Sequence, residues 1–145
     1  MIYVHRFQVH VPLSLVAEFH SRAASMPVIT PPPIIVQLHH APTALAEGDE
    51  MDFTLWLGPF PIHWLARIEA VSSGGFTDRQ LRGPFKEWVH QHKFIPVNEK
   101  ITDVVDLITL HLCSHPVWWL VGMAMRLGLP ILFAYRARKT KRLLQ

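Results

Sequence analysis

Trp88, His90, His92 and Phe94 each stand one residue from the next in the middle of a 145-residue chain. Alternate side chains of an extended strand share a face, so this spacing sets an indole, two imidazoles and a phenyl ring in one row. Strands ordinarily bury aliphatic rows. Two neighbouring imidazoles on the inner side therefore point to a partly polar cavity. A histidine beside an aspartate can act as a general base, because the carboxylate orients the ring and stabilises its protonated form. Such a pair would remove a proton next to a carbonyl or pass one to a leaving hydroxyl. The plainer alternative is a buried polar layer in which the histidines donate hydrogen bonds to aspartates.

If the row faces inward, the preceding strand contributes Phe76, Asp78 and Gln80, and the following strand Ile101, Asp103, Val105 and Leu107. Together with Trp64, this gives a candidate binding set of Trp64, Phe76, Asp78, Gln80, Trp88, His90, His92 and Phe94. The acid–base candidates are His90 and His92, with Asp78 or Asp103 as orienter. Binding ranks ahead of catalysis. Two histidines and a carboxylate can also form an open zinc or iron site. Here both histidines lie on one strand and no third ligand is fixed by spacing, so no metal and no other cofactor is expected. His39 and His40 point to opposite faces of a strand and read as surface residues, and His5, His10 and His63 read as solvated positions. No nucleophile motif surrounds Ser72, Ser73 or Ser114, which read as turn and cap residues.

The elements that hold this row follow from alternation and from the breakers. Ile2 to Val11 reads as a strand ended by Pro12, and Ser14 to Arg22 as a short helix with Leu15, Val16 and Phe19 at helical spacing. Pro27 and Pro31-Pro32-Pro33 exclude helix and lead into a strand over Ile34 to His40. Strands are then expected over residues 51–57, 62–70, 76–82, 85–97 and 101–112, joined by short turns such as Gly58-Pro59-Phe60-Pro61 and Ser72-Ser73-Gly74-Gly75. Seven strands joined so tightly make an antiparallel sheet. Val117 to Tyr135 is apolar apart from Arg126 and reads as one long helix, bent at Gly128 and Pro130 and started by Ser114 and Pro116.

Half of the residues are hydrophobic and 17% are charged, which describes one compact domain with much buried surface. Arg136, Arg138, Lys139, Lys141 and Arg142 supply five of the fourteen positive charges, so the net charge without them is 3 − 5 = −2. The body is nearly neutral and carries a basic tail, which excludes a broad nucleic-acid-binding surface. Cys113 is the only cysteine, so no internal disulfide forms. With no basic, apolar and small-residue succession at the N-terminus, a cytoplasmic protein is expected. Val117 to Phe133, about 17 residues, falls short of the ~20 that span a bilayer. The basic tail could make weak contact with anionic membranes, but a sheet gripping the helix would already cover its apolar face.

Taken together, Phe7, Phe19-His20, Thr30-Pro31-Pro32, Gly58-Pro59-Phe60-Pro61, Trp64-Leu65-Ala66-Arg67-Ile68, Phe76-Thr77-Asp78, Gln80, Gly83-Pro84-Phe85, Trp88, His90, His92-Lys93-Phe94, Thr102-Asp103 and Phe133-Ala134-Tyr135-Arg136 resemble the START-like (SRPBCC) superfamily. This superfamily includes polyketide cyclases, dehydrases and lipid-transfer proteins, and the likeness is to its small bacterial ligand-binding branch. It implies an α+β helix-grip fold, a curved antiparallel sheet of about seven strands around a long C-terminal helix. It further implies one ligand-binding domain over residues 1–145, with a basic helix end at 136–145. The implied partner is a small or medium hydrophobic molecule such as a lipid, an isoprenoid or an aromatic polyketide. Cyclase or dehydratase chemistry, and a peripheral membrane or protein-interaction role for the helix, are the alternatives.

Overall fold

The computed structural model describes residues 1–145. Seven strands, β1 (Ile2–Val9), β2 (Ile34–His40), β3 (Glu50–Leu57), β4 (Phe60–Ser72), β5 (Gly75–Arg82), β6 (Phe85–Asn98) and β7 (Ile101–Leu112), form one antiparallel sheet. Their order is β1-β7-β6-β5-β4-β3-β2, so the two chain-early strands close opposite edges. Helices α1 (Leu13–Ser21) and α2 (Ser25–Val28) connect β1 to β2, and α3 (Pro116–Leu144) follows β7. The curved sheet and long last helix make the α+β helix-grip arrangement.

Several boundaries differ from the sequence expectation for local reasons. The helix after β1 starts at Leu13 with Pro12 in the capping position, where its carbonyl accepts from the amides of Leu15 and Val16. Pro27 does lie in a helix, the single turn α2. In a first turn the missing proline N–H would have had no helical partner, so nothing is lost. The last helix runs unbroken through Pro130 to Leu144, well past Tyr135, with Pro116 in its first turn and Lys141 and Arg142 in its last, where cations complement the helix dipole.

The core lies between sheet and α3. Trp64 packs edge-on against Trp88, with ring centres 5.3 Å apart, and Phe85 tilts against Trp88 at 5.0 Å. The inner face of α3 presents Gly122, Leu129, Phe133, Ala137 and Thr140, all buried and at helical spacing. A methyl group at Gly122 would stand 2.9 Å from Leu112, so this glycine lets the helix approach β7 closely. The outer face corrects the expectation of a covered helix. Leu120, Leu127 and Ile131 are 65%, 69% and 74% exposed. The sheet covers one face of α3 and leaves an apolar face open.

Candidate functional site

The row on β6 faces inward. Trp88, His90 and Phe94 are buried and His92 nearly so, because successive side chains alternate across the sheet. Its partners on β5 are in place: Phe76 lies opposite His92, and Asp78 opposite His90. The partners on β7 are not those expected. At the turn, Asn98 pairs with Ile101, a register that would put Ile101, Asp103, Val105 and Leu107 inside. A bulge between Pro96 and Asn98 adds one residue to β6, so Phe94 pairs with Val104, His92 with Asp106 and His90 with Ile108. One inserted residue exchanges the two faces of the partner strand. Asp103 therefore leaves the candidate acid–base set. It bonds Arg6 and Gln8 on β1, away from the cavity, while Asp106 faces the histidines.

Four side chains now form a closed polar group. The rings of His90 and His92 stack at 3.7 Å between two carboxylates. His90 Nε2–H donates to Asp106 Oδ1 at 2.8 Å, and His92 Nε2–H donates to Asp78 Oδ2 at 2.7 Å. Each histidine's Nδ1 lies 3.5 Å from the other aspartate, so each ring is flanked by both carboxylates. Phe76 stacks on the far face of His92 at 4.3 Å. Asp78, His90 and His92 also bring one ligand atom each within 4.8 Å of one another. The two imidazoles lie face to face and are already hydrogen-bonded to aspartates, however, which is not the convergent geometry of a metal site.

Two residues that sequence reasoning left out complete the group. Arg136, assigned to the basic tail, lies on the inner side of α3 one turn beyond Phe133, with its guanidinium carbon 5.3 Å from that ring's centre. His20, the last-turn histidine of α1, has its Nδ1 2.9 Å from the Val16 carbonyl and its ring 4.8 Å from Phe94. Both signals were present in the chain. Arg136 follows Leu129 and Phe133 at helical spacing once the helix is carried past Tyr135, and His20 follows buried Val16 by four residues.

Burial sets the charge states. Burial pushes His20 down to about 4, and the neighbouring His92 adds to the shift. His92 is likewise lowered, first by burial and then by His90. Burial alone would raise Asp106, but the hydrogen bond from His90 and the nearby His92 and Arg136 hold it at about 2. The same opposition, led by His90 and His92, keeps Asp78 below the usual carboxylate range. At neutral pH the group thus holds two carboxylates, one guanidinium and a neutral His20 and His92. His92 Nδ1 and Arg136 Nε are buried and have no hydrogen-bond partner.

These groups line one side of a cavity of about 310 Å³ between sheet and α3. Of its 28 lining residues 19 are hydrophobic, so the polar group borders a mainly apolar space to which Arg22, Ser25 and Thr30 add further polar atoms. Of the sequence candidates, Trp64, Phe76, Asp78, Trp88, His90 and His92 line it. Gln80 does not, because its amide is spent on the backbone N–H and carbonyl of Phe85 at the strand bend. Phe94 belongs to a second core cluster with Val9, Val16 and Val104. His5 is also displaced from its expected solvated position. It shares a face with Phe7 and Val9, and its ring centre lies 5.8 Å from that of Phe133.

No family model and no curated protein matches the chain. Solved structures do. TTHA0849 from Thermus thermophilus superposes with a TM-score of 0.72 at 12% identity, covering 100% of both chains. The Zhui aromatase/cyclase from Streptomyces sp. R1128 gives 0.70 at 15% identity over 99% of this chain and 95% of its own. Norcoclaurine synthase from Thalictrum flavum, in complex with dopamine and hydroxybenzaldehyde, gives 0.72 at 14% identity over 99% of this chain and 85% of its own. At such identities the likeness establishes a shared helix-grip fold, and the chemistry has to be argued from the side chains.

Proposed function

We propose that this helix-grip chain binds a small or medium hydrophobic molecule carrying a neutral oxygen function, a hydroxyl or a ketone, at the polar end of the cavity. The carrying observation is the pair of buried, unpartnered nitrogens, His92 Nδ1 and Arg136 Nε, on two residues that border a mainly apolar cavity. A buried polar atom without a partner is costly, and a ligand that supplies one recovers that cost. Arg136 Nε offers a proton and the neutral His92 offers a lone pair, so a hydroxyl that reaches both would accept from the first and donate to the second. The carboxylates of Asp78 and Asp106 at this end of the cavity disfavour an anionic head group. Trp64, Trp88 and Phe76 give aromatic walls suited to a flat ring system, as in an aromatic polyketide, although an isoprenoid or lipid body would also find apolar contact. The lone cysteine agrees with a cytoplasmic setting.

The His–Asp pairs support a second reading. A hydroxyl or enol held on His92 Nδ1 is placed for proton transfer, which is the acid–base step of a cyclase or dehydratase. Asp78 would orient His92, and Asp106 would orient His90.

Two measurements test the proposal. Mass spectrometry of the natively purified protein should release a stoichiometric neutral, oxygenated hydrophobic compound on denaturation. Fluorescence titration should show 2-naphthol binding more tightly than 2-naphthoate, with the affinity for naphthol weakened in Arg136→Met. A tighter fit for naphthoate would overturn the neutral head group. A rate that follows a single group titrating below the usual histidine range, lost in His92→Gln while naphthol still binds, would favour the enzyme.

A further inference from the structure

The uncovered side of α3 has a regular pattern. Val117, Leu120, Ala124, Leu127, Ile131 and Ala134 are all exposed and recur at alternating steps of three and four residues. They make one seam about 26 Å long at ~1.5 Å per residue. Trp119, 45% exposed, flanks its start. The same steps continue into Arg138 and Lys141, exposed and cationic, with Arg142 beside them. Helix α3 contains no aspartate or glutamate, and Arg126 lies next to the seam's midpoint. An apolar seam of this length on a soluble surface marks an interaction face.

We infer that this seam docks the protein on an anionic lipid surface, with α3 lying in the plane of the interface. Charge decides between the occupants. A second copy meeting the seam antiparallel would bring its Arg126 beside the first copy's Arg126, and a parallel copy would align both basic ends, with no acidic side chain on either helix to offset them. Phospholipid headgroups supply the missing anions, the acyl boundary takes up Leu120, Leu127 and Ile131, and Trp119 fits the headgroup level. Spanning is a different matter, because the opposite face of α3 holds Leu129, Phe133 and Ala137 against the sheet. Docking does not depend on what the cavity binds. If the binding proposal holds, the two sites meet: Ala124 belongs to the seam and also lines the cavity, and beside Gly128 the space is open.

The full-length protein should sediment with vesicles containing phosphatidylglycerol and remain largely free with pure phosphatidylcholine. Binding should fall as salt is raised. Leu127→Glu with Ile131→Glu should abolish sedimentation while circular dichroism and the unfolding midpoint stay unchanged, since both side chains are already in water. Arg138→Gln and Lys141→Gln should each weaken binding about fivefold, because a cation near an anionic surface contributes ~1 kcal/mol. Absence of vesicle binding would overturn the inference. Concentration-dependent dimers in the ultracentrifuge that disappear in the glutamate double variant, without vesicle binding, would overturn it in favour of a second copy. Because the vesicle assay needs no cavity ligand, its failure leaves the naphthol titration unaffected, and the reverse holds too.

Discussion

Asp103 and Asp106 lie three residues apart on β7 and are equally buried, 7% and 6% exposed, yet they belong to different chemical settings. Asp103 looks outward and pairs with Arg6, whose side chain is 61% exposed and reaches it from solvent. Asp106 looks inward and pairs with His90, which is 3% exposed. The overall burial of a carboxylate says little about its role. What matters is whether its hydrogen-bond partner is also withdrawn from water, because solvent screens the first pair and cannot reach the second.

The contrast can be broken at three points. Asp106→Ala should produce the largest effect, a loss of roughly 3 kcal/mol in urea unfolding, since it leaves the buried Nε2–H of His90 without its acceptor and removes one of the two carboxylates that offset Arg136. Next in size is the acid response of the inner group. His20 is neutral in the fold to about pH 4 but protonates near 6.5 when unfolded, so the unfolded chain binds more protons between those values. Stability is therefore full above pH 6.5 and falls by up to about 3 kcal/mol as pH drops to 4. His20→Phe should flatten that part of the pH profile while keeping the contact with Phe94. The folded Asp106, depressed to about 2, adds a separate loss only as pH falls from 3.8 toward 2. Asp103→Asn should give the smallest change at neutral pH. That change should shrink further in ~1 M salt, where the screening length is ~3 Å, whereas the Asp106 effect should persist.

The same pair of residues shows what could be read from the chain. Alternation located all seven strands and the inward row of β6, because a half-buried strand writes its period directly into residue type. Strand β7 was harder. Val104, Ile108 and Leu110 compete with Ile101, Val105 and Leu107 for the inner face, so composition leaves the phase open and the register across the hairpin decides it. That register depends on a one-residue bulge at Pro96, which no period reveals. Arg136 was obscured differently. Four further cations after it gave the segment the look of a solvated tail, and only the continuation of α3 turns one of the five inward.

The backbone at the β4–β5 turn carries one more consequence. Gly75 has φ +138°, and a methyl group there would fall 1.8 Å from the carbonyl oxygen of His92. No other residue can occupy that point unless β6 retreats, and β6 carries both stacked imidazoles. In a saturation scan scored by ligand retention, position 75 should therefore tolerate substitution as poorly as the histidines themselves. A reader of such a map would mark as part of the binding site a residue with no side chain and no ligand contact, whose contribution is to leave room for its neighbour's carbonyl.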